Sequence, residues 1–160
     1  MLIDVAGVHI RYAQPDDRDF IVGLVPELLA FDSPPPWRDA RQMAAVDMHV
    51  IGEALEGRSP GASILIAEDG QGQRVGFIHL CEEEDYYCGT CGHVGDVVVA
   101  PAARGRGVGK ALLAAGEQWA RERGYRMLTL NVFLGNKKAR ALYEEVGFRP
   151  ETVRQVKKLA

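Results

Sequence analysis

The segment RGRGVGK, residues 104–110, combines the residue types that bind an anion. Glycine adopts backbone conformations that a side chain forbids, and it lets a phosphate approach the chain closely. If the segment opens a helix, its unpaired backbone N–H groups and the helix dipole favour an anion. Basic side chains add positive charge. The predicted phosphate site comprises Arg104, Gly105, Arg106, Gly107, Val108, Gly109 and Lys110.

Two familiar phosphate-binding motifs do not fit this segment. The P-loop pattern G-x4-G-K-[ST] requires glycine at position 104 and Ser or Thr at 111, where the chain has Arg104 and Ala111. The dinucleotide pattern G-x-G-x-x-G requires a third glycine where Lys110 or Leu112 stands. A glycine-rich turn without a ligand remains an alternative, because glycine clusters often only separate elements.

Two sequence blocks follow one another in the second half of the chain. The first is Arg104-x-x-Gly107-x-Gly109 after DVVVAP, and the second is NVFLGNKKARALYEEVGF, residues 131–148. Together they resemble the acyl-CoA-binding motif and the next block of the GNAT-type N-acetyltransferase superfamily. The resemblance implies direct transfer of acetyl from acetyl-CoA to a primary amine of a small molecule or peptide, with no metal and no covalent intermediate.

The resemblance also implies where the cosubstrate binds. In this family the strand before the glycine turn and the strand after the following helix splay apart, and acetyl-CoA lies in the gap. Backbone groups of Val97, Val98 and Val99 would pair with the pantetheine arm, the amides of 104–109 would hold the pyrophosphate, and Asn136 would face the cosubstrate. A free strand edge suits such an arm, since it pairs with extended amide groups.

Tyr143 is the predicted general acid. When a neutral amine attacks a thioester, thiolate character develops on CoA, and a phenol within hydrogen-bond reach can stabilise or protonate it. The resemblance assigns this role to the tyrosine of Ala-x-x-Leu-Tyr, which is Tyr143. Spacing alone favours a core aromatic on an amphipathic helix instead.

The base that deprotonates the amine has two candidates, His93 and Asp96, on the strand-like HVGDVVV. Histidine has an unperturbed pKa of about 6.5, which suits a base. Successive side chains of a strand point to opposite faces, so His93 would share a face with Val97, and Asp96 would not. Both residues can serve one site only if a bulge intervenes.

The segment CEEEDYYCGTCGH, residues 81–93, is predicted as an irregular acidic loop between two strands. Its acidic run and tyrosines could attract a cationic amine; a solvated acidic surface is an equal alternative. A zinc site at Cys81, Cys88, Cys91 and His93 is a further alternative, although the spacing is unusual for one. The resemblance also implies that the loop with Pro34–Trp37 covers the other side of the acceptor site.

Charge divides the chain unevenly. Residues 1–100 hold 6 Lys and Arg against 17 Asp and Glu, whereas residues 101–160 hold 13 against 5. This asymmetry suits a cationic acceptor on the first half and the phosphates of CoA on the second. Nothing resembles a nucleic-acid module. A non-catalytic acyl-CoA-binding regulatory module remains open because fold does not fix function, and a small zinc-binding interaction domain is the third class.

The predicted order of the helices and strands that position these residues indicates an α/β (α+β) fold. Its central sheet is mixed and mostly antiparallel, flanked by helices, in the order β-α-α-β-β-β-α-β-α-β(-β). Strands are predicted at 8–13, 63–69, 74–83, 93–100 and 126–133, with one or two closing strands over 148–159. Helices are predicted at 19–31, 38–55 and 108–123, and a short one is capped by Asn136 and left through Gly147.

Length and composition are those of an ordinary globular protein. The 160 residues are expected to form a single domain, 1–160. No apolar run reaches the roughly 18 residues of a membrane span, and the start lacks a secretion signal, so we expect a cytoplasmic protein. Three cysteines, an odd number, are expected to be free thiols. A homodimer could use the edge of the final strand, Thr152–Leu159.

Overall fold

The computed structural model describes residues 3–5 and 7–159. Short 3₁₀ turns lie at Pro15–Asp17, Val25–Leu29 and Pro101–Ala103. The strands are β1 Ile3–Val5, β2 Val8–Tyr12, β3 Ser63–Glu68, β4 Arg74–Asp85, β5 Gly89–Val99 and β6 Leu128–Leu130, and the helices are α1 Arg18–Leu24, α2 Ala40–Leu55, α3 Val108–Glu122 and α4 Lys137–Glu145.

Within the described residues the strands form one six-stranded sheet in the order β1-β2-β3-β4-β5-β6. Neighbouring strands are antiparallel from β1 to β5, and β6 joins β5 in parallel after the crossover through α3. The predicted fold class, a mixed and mostly antiparallel sheet flanked by helices, is confirmed.

Each face of the sheet carries its own apolar core. Leu65 and Ala67 of β3 pack with α3, whereas Ile64 and Ile66 pack on the other face with α1 and α2. Both faces are therefore covered, which explains why β3 reads as a continuous apolar run rather than an alternating one. Trp119 of α3 is fully buried, as its helix face predicts.

The first predicted helix, 19–31, is shorter than expected. It ends at Leu24 and continues as the 3₁₀ turn Val25–Leu29. Pro26 is the physical reason, since it has no N–H to donate and its ring clashes with the preceding turn.

The acidic segment is not an irregular loop, and that prediction was wrong. β4 continues to Asp85 and β5 starts at Gly89, so the two strands form one long hairpin. Its tip is closed by Asp85, whose carboxylate accepts hydrogen bonds from the N–H groups of Tyr87 at 2.8 Å and Cys88 at 2.9 Å. Such hydrogen bonds from an Asp side chain to nearby backbone N–H groups stabilise tight turns. The acidic composition of the segment did not indicate one.

The predicted closing strands over 148–159 do not form. Residues 149–159 have no strand assignment, and their side chains are exposed. The apolar residues Val153, Val156 and Leu159 recur every three positions, whereas a strand needs a period of two to present one face to the core. The edge expected to support a homodimer is therefore not a strand. In the described part of the chain, no helix has the length and apolarity to cross a membrane.

A buried carboxylate joins the first turn to the sheet. Asp17 is fully buried and accepts hydrogen bonds from both terminal nitrogens of Arg11, at 2.7 and 3.0 Å. The Gln14 N–H donates at 2.6 Å and Arg74 Nε at 2.5 Å. Burial alone would raise the pKa of Asp17, but these donors outweigh it and lower the pKa from 3.8 to about 2.

This cluster predicts a loss of stability in acid. Because the folded pKa of Asp17 is depressed, its contribution is complete above the unfolded value and is lost as pH falls from about 4 towards 2. We expect the free energy of unfolding of Asp17→Asn to be lower than that of the unaltered protein at neutral pH, with the difference shrinking over that range. Urea unfolding of both proteins between pH 7 and 2 measures this. A difference independent of pH would contradict it.

Candidate active site

The strands β5 and β6 splay apart, as the resemblance implies. They pair only where Gly92–Val94 meets Leu128–Leu130. Beyond that point β5 keeps its other neighbour, β4, but within the described residues its Gly95–Val99 stretch has no strand partner on the β6 side. This leaves a free backbone edge at the predicted cosubstrate residues Val97, Val98 and Val99.

The glycine turn opens α3 in the manner expected of an anion site. Gly107 is the N-cap residue and has a left-handed φ of 81°, and Gly105 has a φ of 75°. A Cβ added at either glycine would have no neighbouring atom within 4 Å. The turn therefore leaves open space beside these two glycines at the start of α3, and a helix N-terminus with unpaired N–H groups and such space beside it fits an anionic ligand.

Gly109 differs from the other two glycines. It lies in the first turn of α3, and a Cβ there would be 3.1 Å from Leu142 of α4. Its role in the structure is close packing of α3 against α4 rather than a left-handed turn.

The basic side chains of the turn have different partners. Arg104 pairs with Glu27 at 2.6 Å, and its Nε donates to the Val99 carbonyl at 3.3 Å. Lys110 pairs with Glu145. Arg106 is exposed and forms no ion pair with any residue described by the structure.

A cavity of about 510 Å³ lies at the splay. It brings together four of the predicted site residues: Asp96 and Val97 of β5, Asn136 and Tyr143. The Asn136 side chain also caps α4, where it accepts a hydrogen bond from the Ala139 N–H at 3.2 Å.

Tyr143 is anchored at its ring and lines the cavity. It packs against the core that contains α3, and its ring meets Phe148 edge-on at 6.0 Å. Tyr143 is thus both an aromatic residue packed on the core and a residue that lines the cavity. Burial, and then the nearby Asp96 carboxylate, raise the pKa of Tyr143 to about 12. The phenol therefore holds its proton at neutral pH.

A bulge decides which face of the sheet Asp96 occupies. His79 of β4 pairs with Asp96, but the next residue, Leu80, pairs with Val94, so Gly95 is an extra residue in β5. Val94 packs with α3, whereas Val98 packs on the opposite face, as a one-residue insertion requires. The bulge that both base candidates would need in order to serve one site is therefore present. It places His93 and Asp96 on the same face of the sheet.

The position of Gly95 has no room for a side chain, so we expect any substitution there to destabilise the fold. In Gly95→Ala the new Cβ would lie 2.6 Å from Nδ1 of His79, which is buried and cannot move aside freely. We expect a loss of about 1–3 kcal/mol in the free energy of unfolding. Gly52→Ala in α2 is the control: its Cβ meets nothing within 4 Å, so a gain of about 0.5–1 kcal/mol is expected. Urea unfolding of both variants checks the prediction, and equal effects would refute it.

His93, the other base candidate, does not line the cavity. Its Nδ1 is 2.7 Å from Thr129 Oγ1 and 2.8 Å from a Glu83 carboxylate oxygen. Burial lowers the pKa of His93, and the carboxylate of Glu83 opposes that change.

One side of the cavity is bordered by contacts that sequence patterns do not reveal. Phe31, which follows α1, stacks on Phe133, which follows β6, with ring centroids 5.7 Å apart. Beside them the backbone of Gly135 approaches Ser33 so closely that a Cβ would lie 2.1 Å from the Ser33 carbonyl oxygen. The segment after α1 therefore bridges to the segment before α4 next to the cavity.

The segment before α2 contributes differently from expectation. Arg38 and Asp39 line the cavity, whereas Trp37 does not and is half exposed. The exposed tyrosines Tyr86 and Tyr87 sit at the hairpin tip and do not line it either.

Helix α2 supplies an acidic residue that the sequence reasoning missed. Its cavity face follows helical spacing and includes Asp47. Burial, and then repulsion from Asp96, raise the pKa of Asp47. The helical spacing of residues in α2 could have indicated that these side chains share one face. It could not have shown that this face borders a cavity.

The cysteines do not assemble a metal centre in residues 3–5 and 7–159. No group of three or more His, Cys, Asp or Glu side chains lies close enough there to hold a metal ion. Cys81, Cys88 and Cys91 are free thiols, and burial raises the pKa of Cys81 to about 11.

Comparison with known proteins agrees with this geometry. The sequence profile of the acetyltransferase (GNAT) family matches residues 25–148. An aminoglycoside N(6')-acetyltransferase type 1 of Klebsiella aerogenes is 34% identical over 102 residues, 61% of this chain and 67% of that protein. A mycothiol acetyltransferase of Saccharomonospora viridis is 31% identical over 153 residues, 92% of this chain and 47% of that protein.

An uncharacterized N-acetyltransferase of Bacillus subtilis is 37% identical over 90 residues, 56% of this chain and 60% of that protein, so the matches span about half to two thirds of these relatives. Among solved structures, an aminoglycoside antibiotic 6'-N-acetyltransferase from Acinetobacter baumannii has a TM-score of 0.71 and 18% identity, covering 96% of this chain and 99% of that one. At that identity the likeness shows the fold alone.

Proposed function

Because the chain belongs to the acetyltransferase (GNAT) family, we propose that it moves acetyl from acetyl-CoA directly to a primary amine of a small molecule. One observation carries the proposal: a single cavity brings the Tyr143 phenol and the Asp96 carboxylate to the free edge of β5. That strand then runs into the turn that opens α3, where the geometry fits a phosphate.

Acetyl-CoA fits the two backbone features of this site. The left-handed Gly105 and Gly107 leave the start of α3 open to a pyrophosphate, which its N–H groups and dipole favour. The unpaired edge of β5 offers donors and acceptors to the amides of the pantetheine arm. When bound, acetyl-CoA supplies an activated thioester carbonyl.

The lining of the cavity favours a cationic acceptor. Four carboxylates line it against one guanidinium. Because Glu27 is already paired with Arg104, three carboxylates remain against Arg38, and their potential attracts an ammonium group and repels an anion. The relatives named for aminoglycoside and mycothiol support a small-molecule acceptor, and a lysine-containing peptide is the second class to screen. The lining charges are Glu27, Asp39, Asp47 and Asp96 against Arg38.

The chain's own residues then divide the proton transfers. Asp96 removes a proton from the ammonium, directly or through a water molecule, because it lines the cavity and His93 does not. Tyr143 donates its O–H to the sulfur as the carbon–sulfur bond breaks, since the residue lines the cavity and its phenol is protonated at neutral pH. Of the two protons that the nitrogen loses, one ends on the CoA thiol and one reaches solvent.

A calorimetric titration with acetyl-CoA, with ATP and NAD as controls, is the first test. We expect saturable binding of acetyl-CoA alone, followed by release of free CoA thiol when amines are added. Absence of binding would refute the proposal. Binding without turnover on any amine or peptide would indicate a non-catalytic acyl-CoA-binding module instead.

A further inference from the structure

His79 is a buried polar side chain that has no part in the proton transfers proposed above. It lies on β4 and is 3% exposed. Its Nδ1 is 3.1 Å from the carboxylate of Asp96, the residue opposite it in the ladder. A buried imidazole away from water needs a partner, and here that partner is the side chain that lines the cavity.

The backbone around this pair is shaped to admit it. Gly95, the extra residue of the bulge, leaves the space that the imidazole occupies, since a Cβ there would be 2.6 Å from Nδ1. The same bulge turns Asp96 to the face on which His79 lies. One backbone irregularity thus creates both the space for the imidazole and the direction of the carboxylate.

We propose that His79 is a positioning residue, which donates a hydrogen bond from Nδ1 to the Asp96 carboxylate and holds it facing the amine. The proposal rests on the proposed function only for the identity of the reaction, because the contact itself is independent of it. A neutral imidazole with its proton on Nδ1 is such a donor.

Other charged and titratable groups surround the pair. They lie on three further elements as well as on β4, and each interacts electrostatically with Asp96 or with the histidines. They are Asp47 of α2, His93 of β5, Tyr143 of α4, and Cys81 and Glu83 of β4. None of them forms a hydrogen bond with Asp96 among the contacts of the described residues, so the bond from His79 is the one to remove.

The kinetics of amine acetylation test the proposal. In His79→Leu, which keeps an apolar side chain in the space but removes the donor, we expect kcat to fall about tenfold or more with the KM for acetyl-CoA unchanged. His79→Asn can place an amide N–H near the Nδ1 position and should restore most of kcat.

Two further proteins keep the test decisive. If His79→Leu does not fold, His79→Gln replaces it: this variant retains polarity but does not place its amide at Nδ1, so its kcat should fall in the same way. His49→Gln, on the exposed surface of α2, is the matched control and should keep the unaltered kcat. A fall in stability with an unchanged kcat would overturn the proposal and leave His79 as a packing residue.

A second readout separates this proposal from the proposed function. If the unaltered protein acetylates no amine, nitrogen-15 NMR of the imidazole still shows whether Nδ1 of His79 carries a proton. A proton on Nδ1 supports the hydrogen bond to Asp96. An Nδ1 without a proton overturns the inference whatever the activity.

Discussion

Tyr143→Phe lowers kcat on an amine acceptor by about a hundredfold or more, while the affinity for acetyl-CoA stays the same. The variant removes only the phenolic oxygen. Its ring still packs against Phe148, so the core keeps its shape. The lost group is the proton donor for the leaving thiolate, whose stabilisation is needed in the transition state and not in the bound ground state.

Tyr125→Phe is the matched control for that measurement. It makes the same change at a tyrosine outside the cavity, where the hydroxyl donates to Glu82 of the long hairpin. Single-turnover rates and calorimetric dissociation constants of both variants are to be compared. If acetyl-CoA affinity fell in Tyr143→Phe and the rate per bound complex did not, Tyr143 would be a binding residue and the acid would lie elsewhere.

Gly107→Val raises the dissociation constant of acetyl-CoA by about tenfold or more. Gly107 is the N-cap of α3 with a φ of 81°, which a β-branched residue adopts only under strain. The valine would also fill the open space in front of the helix N-terminus, where the pyrophosphate is proposed to lie. Both effects displace the N–H groups from the anion.

Gly124→Val controls for strain without the ligand. Gly124 follows α3 at its other end, has a φ of 77° and has the same open surroundings. The two variants should lose similar stability in urea unfolding, but only Gly107→Val should weaken binding. An unchanged dissociation constant in Gly107→Val would sink the assignment of this turn to phosphate.

Local sequence was sufficient for features that depend on neighbours in the chain. The turn at Gly105 and Gly107, the cap at Asn136 and the left-handed exit at Gly147 follow from residue types at fixed offsets. The amphipathic face of α3 and the burial of Trp119 follow from its periodicity. Tyr143 came from a motif, since its spacing alone favoured a core residue.

Register lay beyond the sequence reasoning. Strict alternation of side chains along β5 would place His93 and Asp96 on opposite faces of the sheet. Only the pairing with β4 shows that Gly95 is an extra residue, which brings both side chains to one face. The partnership of His79 with Asp96 depends on the same register, because residues 17 positions apart meet only through strand pairing. The length of the acidic hairpin likewise depends on pairing rather than composition.

The cavity itself is a product of tertiary structure. Asp47 is placed near Asp96 by the packing of α2 on the sheet, and Phe31 meets Phe133 across about a hundred residues of chain. Local propensities and periodicities act within one or two turns or strands, so the sequence determined most of the helices and strands and the glycine turn. The class of enzyme came from the resemblance of two motif blocks. Which side chains face one another across the site depends on strand register and helix docking, which are decided by the free energy of burying both faces of one sheet.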